Sequence, residues 1–223
     1  MLSFIWIDLN ELNNANAFEM AYSLLSVKKK EEFNQIKNEE RAKQALASGL
    51  LLRYALRENN LLALYDKTIR ADNGKPVFPD NSLHFNISHA KNMAICVYGK
   101  HAVGCDTEWI GRKLPDNMKR IFSKEEQAYY YRLKDYHARQ TFFFQIWTRK
   151  EALSKWSGEG IRLDFSKISL VSDDSAGVVK RFFYEKELFF QEFFLNEYII
   201  SICSEKNNFS IIPQKVNMDT IFL

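Results

Sequence analysis

The sequence predicts an α+β fold, and three observations lead there. A compact apolar run, "LSFIWIDL" (Leu2–Leu9), reads as a buried strand. A long segment from Ala17 to Asn60 carries helical periodicity instead. The far end, "KRFFYEKELFFQEFFLNEYIISICSEK" (Lys180–Lys206), is an aromatic-rich series of strands. Strands and helices come in blocks rather than in strict alternation, which favours α+β over a parallel α/β sheet.

The elements follow in order. Within the helical segment, "ERAKQALASGLLLRYALRENN" is the clearest stretch, with Ala45, Leu46, Leu50, Leu52 and Leu56 at roughly helical spacing. "ADNGKPVFPDNSLHFNISHA" (Ala71–Ala90) opens with turn chemistry and continues into a short strand near Leu83–Ile87, leaving Ser88 and His89 where a loop should start. "NMAICVYGKHAVGCDTEW" (Asn92–Trp109) reads as a hairpin, two β-rich runs flanking "YGKH". "FSKEE" places Ser123 three residues before Glu126, a capping box that starts a helix. The next helix runs from Ala138 to about Trp156 and stops at Gly158 and Gly160. "YIISICS" closes the set as a buried strand, and no tandem repeat is visible.

Composition bounds the function. At 223 residues the chain is one generous domain or two small lobes, and 46% hydrophobic residues supply a sizeable core. A net charge of +3 lacks the strongly basic balance of a general nucleic-acid binder, so no nucleic-acid partner is expected. Cys96, Cys105 and Cys203 are odd in number and have no zinc-like spacing; they read as buried thiols in a reducing cytoplasm. The N-terminus meets polar residues too early for a signal peptide, and no apolar run reaches the length of a membrane span, so no membrane is expected either.

Four stretches carry chemistry. In "VGCDTEW", strand alternation points Asp106 and Glu108 to one face and Val103, Cys105 and Thr107 to the other. Two carboxylates on one face repel each other unless a cation or water separates them, and Mg²⁺ takes one or two carboxylates with water and phosphate oxygens. An exposed strand would give the same pattern. In "WTRKEALSKWSGEG", Trp147, Glu151 and Lys155 recur every fourth residue and share a helix stripe. Alone, that stripe is an ordinary Glu–Lys surface pair beside an indole. Ser88 and His89 of "FNISHA" offer a hydroxyl, an imidazole and backbone amides to a phosphate, or make a plain turn. Lys75 and Pro76 of "NGKP" make a rigid turn presenting an ammonium. There is no glycine-rich phosphate loop and no G-x-S-x-G.

In combination and order, these stretches resemble the 4′-phosphopantetheinyl transferases of the surfactin-synthetase-activating type. The resemblance spans roughly Ser26 to Leu163, and its specific part is the pair "VG-x-D-x-E" and "W-x-x-K-E-A-x-x-K-x-x-G". It implies two similar lobes related by a pseudo-two-fold axis with the active site between them. Residues 1–104 would form the N-terminal, coenzyme A-binding lobe and 105–223 the lobe with the magnesium and catalytic motifs. It implies transfer of the phosphopantetheine arm of coenzyme A to a carrier-protein serine. Asp106, Glu108 and Glu151 would be magnesium ligands, with Glu151 shared between metal and base, and Lys155 the pyrophosphate partner. Lys75 and Pro76 would border the adenine and 3′-phosphate; Ser88 and His89 would hold phosphates. Basic residues near Lys28 and Lys43 or Arg41 would add contacts, with Gln44 at a position often basic in the family. Cys105 and Thr107 replace the usual aliphatic residues on the packing face. Trp147 is expected to pack beneath the stripe.

The same residues leave open a metal-dependent phosphodiesterase or nuclease and a non-catalytic coenzyme A-binding module. The resemblance further implies an acidic acyl, peptidyl or aryl carrier as partner and a monomer holding both lobes, and the charge of the basic stretch Arg112–Arg120 makes it the candidate docking surface for such a carrier.

Overall fold

In the computed structural model, which describes residues 1–115, 118–172, 178–207 and 211–222, two four-stranded sheets lie against each other and each carries one long helix. The first sheet begins with β1 (Leu2–Asp8). Three helices follow: α1 (Ala15–Ser23), α2 (Val27–Asn34) and α3 (Glu39–Glu58). Asn14, Ser26 and Asn38 each cap one of them by accepting a backbone N–H, which is why the periodic segment divides where it does. A two-residue-strand hairpin, β2 (Ile69–Arg70) with β3 (Pro76–Val77), precedes β4 (His84–Ala90) and β5 (Met93–Gly99). β5 pairs with both β4 and β1, antiparallel in each case.

The second half repeats that order: strand β6 (Val103–Trp109), helices α4 (Lys124–Arg132) and α5 (Tyr136–Ser157), then antiparallel strands. β7 (Val178–Phe183), β8 (Lys186–Leu195) and β9 (Tyr198–Ser204) form a meander whose last strand returns to β6. In each half the first strand therefore pairs antiparallel with the last. The expected hairpin between β5 and β6 does not form. β5 has β1 on one edge and β4 on the other, while β6 pairs with β9, so "YGKH" crosses between sheets. The expected boundary at Gly104 falls inside β6, and the chain end does not stay with the second sheet: β10 (Gln214–Lys215) runs parallel to β1, and α6 (Met218–Phe222) follows it onto the first core.

Period-two alternation sorts the side chains into three cores. Ile5, Ile7, Ala94 and Cys96 face α3 with Leu46 and Leu50. Leu2, Phe4, Ile95 and Val97 face the other sheet, where Val103, Cys105, Ile200 and Ile202 meet them. Ile199 and Cys203 turn outward to α5, against Phe144, Ala152 and Leu153. The central strands β5 and β9 are thus covered on two faces, which explains their unbroken apolar runs. Gly104 is what lets α5 lie so close to β6. A Cβ there would stand 2.0 Å from the Ala152 carbonyl oxygen and 2.4 Å from the Trp156 nitrogen.

Candidate active site where β4, β6 and α5 meet

Alternation along β6 puts Asp106 and Glu108 on the α5 side, opposite Cys105 in the inter-sheet core. Helical spacing along α5 puts Trp147, Glu151 and Lys155 on the stripe that faces them. The expected Glu151–Lys155 pair is replaced by a contact across elements. Lys155 Nζ donates to Asp106 Oδ1 at 2.7 Å and to Ser88 Oγ at 2.8 Å, and Ser88 Oγ donates to the same carboxylate oxygen at 2.8 Å. β4, β6 and α5 therefore meet at one buried three-way junction. Ser88 and His89 lie inside β4, not at the start of a loop. A further tie holds β4 to β6: the Cys105 backbone N–H donates to Asn86 Oδ1 at 2.9 Å.

Trp147 does more than pack. Its indole Nε1–H donates to Glu108 Oε1 at 2.9 Å, and Arg112 grips the same carboxylate at 3.1 Å. Glu151 lies in the cleft beside Lys155 with its pKa pushed up to about 7, by burial first and then by Asp106 and Glu108, against the pull of Lys155. Glu108 is raised for the same two leading reasons, burial and Asp106. Burial works against the Lys155 ammonium, but Asp106 and its neighbours outweigh it and hold its pKa above the ordinary value. His89, accessible at the rim, is held below its usual pKa by desolvation and by Lys155.

The three carboxylates feel one another, and this bears on the magnesium implied by the resemblance. Asp106 Oδ2 is buried with no hydrogen-bond partner. A hard, oxygen-seeking dication is the species such a set would welcome. Among the described residues no three His, Cys, Asp or Glu side chains already stand together as a metal site. The orphaned Asp106 oxygen and the charge crowding suit such an ion in donor chemistry, and Asp106, Glu108 and Glu151 are the ligands the resemblance implies for it.

A cleft of about 360 Å³ opens beside Lys155 and Glu151, lined also by Asn73, Lys75, Pro76 and Ile87. Pro76 and Ile87 equally line a larger cavity of about 480 Å³, which runs under α2 and α3 past Lys28, Lys29, Ser48 and Arg70. The two adjoin along these shared walls as a two-part groove. Lys43 lies elsewhere, in a small cavity at the start of α3, its ammonium taken by Glu39 at 2.8 Å and Asn13 at 2.9 Å. Ala45 and Ser48 line the groove, and Arg41 and Gln44 stand one turn before them, so helical phase puts Arg41 on the groove side and Lys43 off it.

Lys150 belongs to the W-x-x-K-E-A motif but its role is not readable there, and Arg149 looks like extra basic charge. Lys150 is fully buried and donates to Glu126 and to the carbonyls of Ile121 and Phe165. Glu126 completes its capping box and also accepts from the Leu170 N–H. Arg149 pairs with Glu192 at 2.8 Å, both nearly buried. These contacts clamp α5 from the face opposite the stripe. The signal for them is only the KE dipeptide, in which adjacent residues must point to different sides of a helix.

Comparison with known proteins agrees with this arrangement. The profile of the 4′-phosphopantetheinyl transferase superfamily matches residues 102–203, and that of the N-terminal part of 4′-phosphopantetheinyl transferases matches residues 13–100. The chain belongs to the 4′-phosphopantetheinyl transferases. Among its relatives, 4′-phosphopantetheinyl transferase Sfp of Bacillus subtilis is 29% identical over 154 residues, covering 68% of each chain. The gsp transferase of Aneurinibacillus migulanus is 26% identical over 199 residues, 85% of this chain and 82% of the relative. The psf-1 transferase of Bacillus pumilus is 27% identical over 208 residues, 90% of this chain and 88% of the relative. The two profiles divide this transferase between β5 and β6, close to where the backbone passes from one sheet to the other. Both sides of the three-way junction, Ser88 in one matched region and Asp106 with Lys155 in the other, fall within them.

Proposed function

We propose that this transferase moves the 4′-phosphopantetheine arm of coenzyme A onto a serine hydroxyl of a carrier protein and releases adenosine 3′,5′-bisphosphate. The observation that carries the reading is the groove. One end is a basic, half-apolar cavity suited to a phosphorylated nucleoside. The other opens on Glu151 and Lys155, with Asp106 paired to Lys155 behind them, a charged set suited to a pyrophosphate. A general nuclease has no need of a separate basic, half-apolar cavity beside its carboxylates.

In this reading the nucleoside end lies between α2, α3 and Pro76, with Lys28, Lys29, Arg70 and Arg41 near its phosphates. The pyrophosphate lies at the junction, where Lys155, Ser88 and His89 donate to its oxygens. Mg²⁺, when bound by Asp106, Glu108 and Glu151, would offset charge on the two phosphates. The serine oxygen forms a bond to the β-phosphorus, and the bond from that phosphorus to the bridging oxygen breaks. The departing adenosine bisphosphate carries the bridging oxygen away. Glu151, shared between the metal and the base role, takes the serine proton. Lys155, on the last turns of α5, adds positive charge where the leaving group becomes more negative. The carrier docks on the basic face that begins at Arg112; Asp116 and Asn117 of that stretch lie outside the described residues. The enzyme acts as a monomer in the reducing cytoplasm, in keeping with three buried free thiols.

Incubation with coenzyme A, Mg²⁺ and a panel of fatty-acid, polyketide and peptide carriers should raise a carrier's mass by one phosphopantetheine. A panel left wholly unmodified sinks the reading. Mg²⁺-dependent cleavage of nucleic acid without coenzyme A would put the nuclease in its place.

A further inference from the structure

Lys75 does not present its ammonium to solvent as a turn lysine would. The β2–β3 turn reaches across to the second sheet, and Lys75 Nζ donates to the Val103 carbonyl at 3.0 Å and the Trp156 carbonyl at 3.3 Å. Asn73, in the same turn, donates from Nδ2 to the Ser157 carbonyl at 3.3 Å and braces the turn by accepting from the Lys75 N–H at 3.1 Å. Trp156 and Ser157 close α5, where carbonyls have no partner within the helix. Gly158 makes room for this: its φ is +76°, and a Cβ there would stand 1.9 Å from Asn73 Nδ2.

We propose that the β2–β3 turn is a clamp and that Lys75 is a positioning residue for the transfer reaction, acting through α5 and β6 rather than as a phosphate ligand. Val103 lies three residues before Asp106 on β6, and Trp156 directly follows Lys155 on α5. One ammonium therefore holds together the two elements whose side chains meet in the Lys155–Asp106 pair at 2.7 Å. The same hairpin lines both parts of the groove, Arg70 and Pro76 in the nucleoside cavity and Asn73, Lys75 and Pro76 in the cleft. Occupation of the nucleoside cavity is thereby linked to the placement of Lys155.

The burial of Lys75 is unfavourable in itself. Its pKa is pulled down to about 8 by desolvation, only partly offset by the thiols of Cys105 on β6 and Cys203 on β9. His84 on β4 is a further titratable neighbour, its pKa lowered by burial first and then by Lys75. Among the described residues no carboxylate pairs with Lys75. A side chain held so is spent on geometry, since among the described residues its ammonium donates to two carbonyls of two different elements.

The kinetic arm of the test rests on the transferase reading; the exchange arm does not. Lys75→Met keeps the stem and removes the ammonium. We expect kcat to fall by about tenfold with the coenzyme A KM within about twofold, because a group that only positions the reacting end leaves ground-state binding in place. Backbone amides of residues 154–158 should exchange hydrogen about tenfold faster without any ligand. Asn73→Ala, a milder change at an exposed side chain, should move both readouts in the same direction by less. A raised KM with kcat unchanged makes Lys75 a phosphate ligand and overturns the clamp; so does unchanged amide exchange in both variants. If wild-type protein modifies no carrier, the functional reading fails while the exchange arm still decides the clamp.

Discussion

At the scale of single residues, the site is defined by which carboxylate has a partner. Asp106 has Lys155 and Ser88, and Glu108 has Trp147 and Arg112. Glu151 is the one left with burial and two like charges, and its pKa rises to about 7. The sign of the linkage follows. The folded state holds the Glu151 proton more tightly than the unfolded chain, so its contribution to stability is present below about pH 4.5 and is lost as the pH rises through about 7. Glu151→Gln removes that loss. In metal-free buffer the variant should match the wild type near pH 4.5 and exceed it at pH 8 by about 1–3 kcal/mol, read from urea melts at the two values. Equal stability at both would mean that Glu151 titrates normally. Activity in the same variant should fall steeply, since a glutamine side chain accepts no proton from the serine. The stripe that carries Glu151 was legible from spacing alone. The partners were not, because they come from β4 and β6, and an i, i+4 pattern says nothing about what a helix faces.

At the scale of elements, what was legible had a local cause. The strand β1, the capping box of α4, the glycine stop of α5 and the division of β6 into two faces all rest on alternation, caps or φ preferences. What failed depended on edges. "YGKH" satisfies every local rule for a hairpin, yet β5 has β1 and β4 on its edges and β6 has β9. Likewise Lys43 and Arg41 are indistinguishable in the sequence, and only the phase of α3 against the groove separates them. The glycine of "VGCDTEW" is also explained at this scale: it is a spacing element between β6 and α5. Gly104→Ala would drive a methyl group into the Ala152 carbonyl, and neither backbone can yield without shifting Asp106 or Lys155. We expect a loss of about 3 kcal/mol or more, with activity falling further than the unfolded fraction accounts for. A variant with wild-type melting and turnover would show that α5 does not lie against β6 at this distance.

At the scale of the whole molecule, the groove and the charged surface divide the work between two substrates. In the proposed reading coenzyme A takes the cavity under α2 and α3 and the cleft, and a carrier protein approaches from the side of β6 and α5 where Glu108 and Trp147 lie. Exposed Arg112 and Lys113 begin that face and exposed Lys119 and Arg120 continue it, while the chain's net charge is only +3, so the positive potential there is local. Such a patch raises the encounter rate with an acidic partner more than it deepens the bound state. Reversing Arg112 would confuse the matter, because Arg112 also grips Glu108. Lys113→Glu combined with Arg120→Glu avoids that contact. The double variant should raise the KM for an acidic carrier by about tenfold, change kcat by less than about twofold, and show a flatter dependence of kcat/KM on salt, because screening acts on the steering charges. The coenzyme A KM should not move, since the nucleoside cavity is formed by α2, α3 and the β2–β3 hairpin on the first sheet. If the carrier KM and the salt slope both stay at wild-type values, the carrier docks on another face, and the basic patch has no part in choosing it.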